Sequence, residues 1–419
     1  MVMKDELRSI VAQQKAEGFS IEGTVRRDIL DEILKWLKDS RVLILTGVRR
    51  SGKSTILKQL IRETKDYCYV NFEDERFMGF KAQDFEQLNE TLIEMYGNPR
   101  VYFFDEVQNI ERFEAFVRRL QDQGKKVVIT GSNASLLSKE LGTRLTGRYK
   151  PFEIYPFSFK EYLSFNKLEP QKDWSHITEK KVTLIRMLDD YIKNGGMPEY
   201  LKNKDKEYVK TVYENILYRD IIARYNIRRQ KILKELVNIL TANTSAPFTY
   251  NSLKTSLGLA NSITVKEYIS YLNNSFLFFE LQKFDFSIRK QLNSPKKAYV
   301  IDPAFSHITG FNISANKGRL LENAVFLELK RKNKEVYYYS GKGECDFLIK
   351  EETKISEAIQ VCYALDKSNK ERETSGLTEC MEKFKLKKGI IITHEQEEEI
   401  KTKGKTIKLI PAFKWLLKL

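Results

Sequence analysis

The strongest chemical signal in the sequence is a glycine-rich stretch between an apolar strand and a helical pattern. The apolar run Val42–Thr46 leads into Gly47-x-x-x-x-Gly52-Lys53-Ser54. In this context the stretch predicts a phosphate-binding loop, because glycines let backbone N–H groups surround phosphate oxygens at a helix N-terminus. Lys53 would reach the β- and γ-phosphates, and the Ser54 hydroxyl would bind Mg²⁺. The expected ATP contacts come from Gly47, Arg50, Ser51, Gly52, Lys53, Ser54 and Thr55.

A pair of acids stands at the end of a second apolar strand. In RVYFFDEVQNI the apolar residues are followed directly by Asp105 and Glu106. Beside a phosphate-binding loop, Asp105 would hold the Mg²⁺ through water, and Glu106 would orient and deprotonate the attacking water. The pair therefore predicts hydrolysis as well as binding.

A third apolar strand, Val127–Thr130, is followed by polar side chains that could assist the same reaction. The amide of Asn133 could position the lytic water beside Glu106. Arg144 and Arg148 follow on a polar segment with no nearby acidic partner. Either could be an arginine finger, with Arg148 the preferred candidate, or a plain surface arginine. A finger that acts on a neighbouring subunit would require assembly.

These segments together resemble the bacterial and archaeal AAA-type ATPases that carry a C-terminal domain of unknown function. The resemblance runs from about Thr24 to the end of the chain and implies a RecA-like parallel sheet, Mg·ATP hydrolysis and a homo-oligomer, with a hexamer as one candidate size. It rests on the phosphate loop and on NFEDERF, FFDEVQ, TGSNASLLS, RLTGR, PFSFKEYL, NGGMPEYL and YENILYRDIIARYNIR.

The middle of the chain changes from a helical linker to a compact pattern of short elements. Gly195-Gly196 and Pro198 interrupt a mixed-charge helical stretch, which predicts a small lid over the nucleotide. An aromatic and basic stripe follows, either contacting phosphates or forming a solvated helix face. It consists of Tyr218, Arg219, Asp220, Arg224, Arg228 and Arg229.

Three short helices and an alternating ribbon after Lys231 predict a winged helix. The third helix would enter a DNA major groove, although winged helices also bind proteins or merely pack. The residues expected to face DNA are Ser262, Thr264, Lys266 and Tyr268 on the helix and Lys283, Arg289, Lys290, Lys296 and Lys297 on the wing.

The last part of the sequence resembles the PD-(D/E)xK nuclease core, in which carboxylates from a helix and two strands bind Mg²⁺. Glu322, Asp346 and Gln360 stand at the matching positions, while Cys362 stands where that family has a lysine. Two carboxylates and an amide would hold Mg²⁺ more weakly than three carboxylates, because hard cations favour charged oxygen. An active nuclease, a nuclease fold kept for binding, and a different fold all remain open.

The fold class expected is α/β, in five parts. A helical segment (1–38) precedes a P-loop ATPase core (39–165), a helical lid or linker (166–229), a winged helix-turn-helix (230–306) and an α/β restriction-endonuclease-like domain (307–419). The four cysteines show no metal spacing and are expected to be buried and reduced. No apolar run is long enough to cross a bilayer, so a cytoplasmic protein is expected.

The charge of the chain favours a polyanionic partner. With 72 basic and 57 acidic residues the net charge is +15, which fits duplex or branched DNA but also a solvated basic surface. The leading hypothesis is an oligomeric, Mg²⁺-dependent ATPase that remodels or translocates DNA. The alternatives are a signalling switch of the STAND type and an ATP-gated nuclease of a defence system.

Overall fold

The structure, a computed structural model, describes residues 3–133, 147–307, 317–402 and 404–419. The chain divides into two compact units. The first ends at Tyr155 and includes the short segment Asn274–Phe276, and the second comprises Pro156–Asn273 and Leu277–Leu419.

The first unit is built on a parallel sheet. Its strands are β1 (Val42–Thr46), β2 (Tyr67–Asn71), β3 (Val101–Asp105), β4 (Lys126–Gly131) and β5 (Tyr149–Glu153), in the order β2-β3-β4-β1-β5. Its helices are α1 (Lys4–Ala16), α2 (Leu30–Trp36), α3 (Lys53–Arg62), α4 (Phe85–Tyr96) and α5 (Phe113–Asp122), with 3₁₀ turns at Glu75–Phe77, Ala82–Asp84 and Val107–Asn109. Every strand pair in this sheet is parallel, so the predicted parallel α/β core is confirmed.

Both faces of the central strands β1, β3 and β4 are buried, which explains why these strands are mainly apolar runs. Alternate residues point to opposite faces. Leu43 and Leu45 pack with α2 and α3, while Val42 and Ile44 pack with α1, α4 and α5. Because all strands are parallel, the segments that follow β1, β3 and β4 meet at one edge of the sheet, where ligands of such folds bind.

The second unit begins with helices and a small sheet. The helices are α6 (Phe159–Phe165), α7 (Thr178–Asn194), α8 (Pro198–Asn203), α9 (Lys206–Asn215), a π-helix (Ile216–Ala223), α10 (Gln230–Ala242), α11 (Tyr250–Ser256), α12 (Ser262–Asn274) and α13 (Ile288–Asn293). Two 3₁₀ turns lie at Lys172–Ser175 and Pro303–His307. The strands β6 (Pro247–Phe248), β7 (Phe278–Gln282) and β8 (Lys296–Val300) form a sheet in the order β6-β8-β7.

The glycine pair after α7 makes room for a buried carboxylate. Gly195 has φ +77°, and a Cβ on it would stand 1.8 Å from Asp302 Oδ1. The backbone N–H of Gly196 donates to Asp302 Oδ2 at 2.7 Å, and that of Ala304 donates to Oδ1 at 2.9 Å. Burial raises the pKa of Asp302 to about 7 in spite of these hydrogen bonds. Only glycine admits this arrangement at residue 195.

The three helices and two strands of the predicted winged helix occur in the expected order, as α10, α11, α12, β7 and β8. Three of the proposed DNA-facing side chains are placed differently. Tyr268, Lys296 and Lys297 are buried, so the expectation that they face a DNA groove is wrong. In addition, the predicted alternating ribbon is interrupted, because α13 lies between β7 and β8.

The C-terminal part contains a mixed sheet. Its elements are α14 (Lys317–Arg331), β9 (Glu335–Ser340), β10 (Glu344–Glu351), β11 (Lys354–Val361), α15 (Lys370–Lys383), β12 (Lys388–Thr393), β13 (Glu398–Thr402), β14 (Lys405–Pro411) and α16 (Ala412–Leu417). The sheet order is β13-β14-β12-β11-β10-β9. Strands β9, β10 and β11 are antiparallel, and β11, β12 and β14 are parallel. The assignment of a nuclease-like domain stays a prediction.

Two sequence expectations of a general kind can be compared with the structure. All four cysteines are buried and unpaired, as expected. Within the described ranges, no helix is both long enough and apolar enough to cross a bilayer.

Candidate functional site

The loop from Gly47 to Gly52 connects β1 to α3 and has a backbone shape that few residues tolerate. A Cβ on Gly47 would stand 2.0 Å from the carbonyl oxygen of Ile154, which lies just after β5. Gly52 precedes α3 with φ +97°, and Arg50 adopts φ +65°. This backbone directs the first turn of α3, with Lys53, Ser54 and Thr55, toward the loop. The predicted contact residues are therefore consecutive around one concave turn.

The Lys53 ammonium lies inside this turn. Its side chain is 3% exposed, and Nζ donates to the carbonyl oxygens of Gly47 and Val48, each at 3.2 Å. The same nitrogen is 3.6 Å from Glu106 Oε1. The loop thus holds a buried cation close to the acid that follows β3.

Asp105 lies beside the Ser54 hydroxyl, and both residues are predicted ligands of Mg²⁺. The hydroxyl of Ser54 hydrogen-bonds the Asp105 carboxylate, as does that of Thr130 on Oδ1. Burial raises the pKa of Asp105, and the neighbouring Glu106 carboxylate raises it further. A buried carboxylate beside a hydroxyl is a hard oxygen pair that a divalent cation would stabilise, so Ser54 and Asp105 fit Mg²⁺.

Glu106 is held in the form that a general base needs. Its backbone is left-handed, with φ +50°, and its N–H donates to Thr130 Oγ1 at 2.9 Å. Burial alone would raise its pKa, but Lys53 and a hydrogen bond from Gln108 outweigh burial, and the net pKa is lowered. Glu106 is therefore ionised at neutral pH. Asn133 is fully buried just beyond β4, the strand that contributes Thr130.

The structure adds residues that the sequence did not identify. Arg27, 5% exposed, donates to the carbonyl oxygens of Ser51 at 2.8 Å and of Tyr155 at 2.7 Å, and so fixes the outer side of the loop. Thr130 contacts both acids, and Gln108 contacts Glu106. Gln108 and Thr130 flank motifs visible in the sequence, whereas nothing in the sequence indicates Arg27.

Arg148 is placed differently from the sequence expectation. It has an acidic partner, because its guanidinium donates to Asp122 Oδ1 at 2.8 Å, so the expectation of an unpaired arginine is wrong. Its carbonyl oxygen accepts from Val42 N, at the start of β1. The phosphate loop follows the other end of β1, about 15 Å away for a five-residue strand. Arg148 therefore does not reach the loop of its own chain. Arg144 lies outside the described residues.

The C-terminal candidates come together, but around an ammonium group. Lys297 Nζ donates to Asp346 Oδ1 at 2.9 Å and to Glu322 Oε1 at 3.2 Å. Gln360 Oε1 accepts from the backbone N–H of Asp346, and Gln360 Nε2 donates to Glu373 at 2.7 Å. Among the described residues, no group of three or more His, Cys, Asp and Glu side chains is arranged to hold a metal ion. Lys297 thus contacts Glu322 and Asp346, two of the three residues predicted to hold a metal ion, and the metal site stays a prediction.

Taken together, the first unit presents a phosphate-shaped loop, a buried ammonium, a metal-compatible acid and an ionised base within one small volume. A water bound between Glu106 and a terminal phosphate could be deprotonated there. These groups together are suited to the hydrolysis of a nucleoside triphosphate.

Three known domain families match successive parts of the chain. An AAA domain matches residues 39–163, and domains of unknown function match residues 185–315 (DUF8612) and 317–415 (DUF4143). The first match confirms the AAA-type ATPase core. The other two carry no assigned activity, so the winged helix and the nuclease-like domain remain predictions.

Relatives match along nearly the whole chain. The uncharacterized protein MJ1544 of Methanocaldococcus jannaschii is 36% identical over 94% of this chain and 91% of that protein. An uncharacterized protein of Haemophilus influenzae is 30% identical over 94% of this chain and 98% of that protein. Among solved structures, the Walker-type ATPase PABY2304 of Pyrococcus abyssi is 17% identical, with a TM-score of 0.40 over 70% of this chain and 98% of that chain.

Proposed function

The chain belongs to the family of AAA-domain proteins that includes MJ1544, and we propose that it is a Mg²⁺-dependent ATPase that couples hydrolysis to remodelling or translocation of DNA. The observation that carries the ATPase part is the position of the Lys53 ammonium, 3.6 Å from Glu106 and bonded to the loop carbonyls. The DNA and assembly parts rest on surface charge and on family resemblance, and each has its own test below.

In the proposed reaction, backbone N–H groups of the loop and the Lys53 ammonium bind the phosphates of ATP. Glu106 accepts a proton from a water molecule, whose oxygen attacks the γ-phosphorus while the bond to the β-phosphate oxygen breaks. ADP and phosphate leave, and the proton on Glu106 is released to solvent. A Mg²⁺ ion held by Ser54 and Asp105 would neutralise charge on the phosphate oxygens.

Hydrolysis is tested by separating binding from turnover. Lys53→Ala should abolish ATP binding, whereas Glu106→Gln should bind ATP with nearly unchanged affinity and lower kcat by about 10²–10⁴. Lys58→Ala on the same helix and the exposed Glu111→Gln are matched controls that should behave like the parent. A folded Glu106→Gln protein with parental turnover would contradict the assignment of the base.

DNA binding is supported by the exposed polar end of α12 and the basic helix α13. Lys266, Arg289 and Lys290 are exposed, and Ser262 and Thr264 are half-buried beside Lys266. Without the buried Tyr268, Lys296 and Lys297, the remaining predicted residues still form a polar and basic surface of the kind that binds DNA. Phosphate contacts by such a surface would release counterions, so affinity should fall steeply with salt.

The DNA proposal is tested by measuring the ATPase rate with no DNA, single-stranded DNA, duplex and a four-way junction. We expect stimulation by at least one DNA form and weaker binding by Lys266→Ala and by Arg289→Ala with Lys290→Ala. Lys254→Ala on α11 is a control of the same charge. Slow hydrolysis that is indifferent to every DNA form would instead favour a nucleotide-dependent switch.

Assembly is proposed because Arg148 lies far from its own phosphate loop yet could act as a finger on a neighbouring subunit. Particle size with and without ATP would show whether a homo-oligomer, with a hexamer as one candidate size, forms. In a mixture of Arg148→Ala and Lys53→Ala subunits, an intact loop can meet an intact arginine, so turnover should exceed that of either variant alone. A monomer with full activity would refute a finger supplied by a second subunit.

A further inference from the structure

The C-terminal sheet contains a buried lysine surrounded by carboxylates. Nζ of Lys297 lies 2.7 Å from Glu344 Oε1, 2.9 Å from Asp346 Oδ1 and 3.2 Å from Glu322 Oε1, and its side chain is only 2% exposed. The four residues, called here the acid–lysine cluster, come from β8, α14 and β10. Three carboxylates from two elements thus converge on a single cation that a third element supplies.

Three further polar groups are hydrogen-bonded within the cluster. The hydroxyl of Tyr299 donates to Glu322 Oε1 at 2.7 Å, and the backbone N–H of Val361 donates to Asp346 Oδ2 at 2.9 Å. The side-chain oxygen of Gln360 accepts from the Asp346 backbone and so is engaged as well. A divalent cation would need the carboxylate oxygens that Lys297 now contacts.

The electrostatics agree with a permanently charged lysine. Burial by itself would lower the pKa of Lys297, but Asp346 and Glu322 outweigh burial, and the pKa is raised well above its ordinary value. Burial and the nearby Asp346 raise the pKa of Glu322. The ammonium and the carboxylates of Glu322 and Asp346 therefore form a buried ion cluster, and removal of the lysine would leave these carboxylates uncompensated.

We propose that Lys297 is a built-in replacement for a divalent cation, so the acid–lysine cluster is a metal-free structural centre and this part of the chain does not cleave DNA by a metal-dependent route. Removing the ammonium would free the carboxylate oxygens of Glu322, Glu344 and Asp346 that it contacts. Glu344, whose side chain is 44% exposed, opens the cluster to solvent and gives a metal ion an entry path. The inference does not depend on the ATPase or DNA proposals.

The test measures Mn²⁺ binding to the full chain by electron paramagnetic resonance without nucleotide, with Asp105→Asn in every protein so that the phosphate loop is not a metal site. The protein with Lys297 should bind no Mn²⁺ at the cluster, and Glu322→Gln should change nothing. Lys297→Met should gain about one Mn²⁺ per chain, and adding Glu322→Gln should abolish it.

Lys296→Met is the matched control, because Lys296 is equally buried on the same strand but donates to the carbonyl oxygens of Leu292 and Ser294. It should gain no Mn²⁺ site. A Mn²⁺ ion bound by the Lys297 protein and lost with Glu322→Gln would overturn the proposal, as would a folded Lys297→Met protein that binds none. A Lys297→Met protein that folds only with Mn²⁺ would support it. If the Lys297→Met variant never folds, the proposal is decided by whether the protein with Lys297 binds Mn²⁺ in a way that depends on Glu322.

Discussion

Arg27 offers a sharp test of how the phosphate loop is held, because its two hydrogen bonds join the loop to the end of β5. Its guanidinium donates to the carbonyl oxygens of Ser51 and Tyr155 at 2.8 and 2.7 Å and is almost completely buried. Hydrogen bonds from a charged donor contribute about 1.5–3 kcal/mol each to stability. The bond to Ser51 is the one that shapes the loop itself.

Replacing Arg27 with Met should therefore weaken ATP binding by roughly 10- to 100-fold, since about 1.4 kcal/mol corresponds to a tenfold change in Kd. The measurement is a fluorescence titration with a labelled ATP analogue, alongside thermal unfolding to show that the variant is folded. Arg26→Met is the matched control, because Arg26 is exposed and forms an ion pair with the exposed Asp31. Near-parental affinity in folded Arg27→Met protein would refute the argument that this arginine fixes the loop.

Three further outcomes are expected. Thr130→Val removes hydrogen bonds to both Asp105 and Glu106, so kcat should fall about tenfold or more at nearly constant ATP affinity in steady-state assays. Gly195→Ala places a Cβ against Asp302 at φ +77°, and its free energy of unfolding should fall by at least about 2 kcal/mol in urea titrations. The pKa of Asp302 is raised from 3.8 to about 7 in the folded protein, so its carboxyl group stays protonated to a higher pH there than in the unfolded chain. Its contribution to stability is therefore greatest below pH 4 and is lost by about pH 7, a change of about 4 kcal/mol that Asp302→Asn should remove.

The nucleotide site could be predicted because its signals are local. A buried strand, a glycine loop and a helix follow one another within Val42–Arg62, and backbone sterics require that order of residue types. The acids after β3 could be placed beside the loop because parallel strands end at one edge of a sheet. The AAA resemblance added the parallel core, which the structure and the family match confirm.

The residues whose positions were not predicted have one thing in common. Their surroundings are formed by segments that are distant in the sequence. Arg148 lacks an acid within its own segment, yet α5 places Asp122 beside it. Arg27 lies 24 positions before Ser51, and no pattern in the sequence relates the two. Tyr268 has a polar tip that suggests a groove contact, but the packing of α12 buries it. Local sequence patterns identify helices and strands, whereas tertiary packing determines which groups surround the polar end of a long side chain.

The two lysines at the start of β8 show that tertiary packing limits what the net charge says about DNA binding. Lys296 and Lys297 point to opposite faces of the middle strand of a three-stranded sheet, and both faces are covered. Neither ammonium can contact DNA directly, although each lysine adds to the net charge of +15.

Burial removes acids from the surface even more often than bases. Among the described residues, eleven acids are buried against five bases: Asp84, Asp105, Glu106, Glu114, Glu161, Asp220, Asp302, Glu322, Glu328, Asp346 and Glu373, against Arg27, Lys53, Lys126, Lys296 and Lys297. The solvent-facing part of the described chain is therefore more basic than its composition indicates. A polyanion would experience this larger surface charge, which strengthens the physical case for salt-sensitive DNA binding even though individual lysines in the original argument are lost.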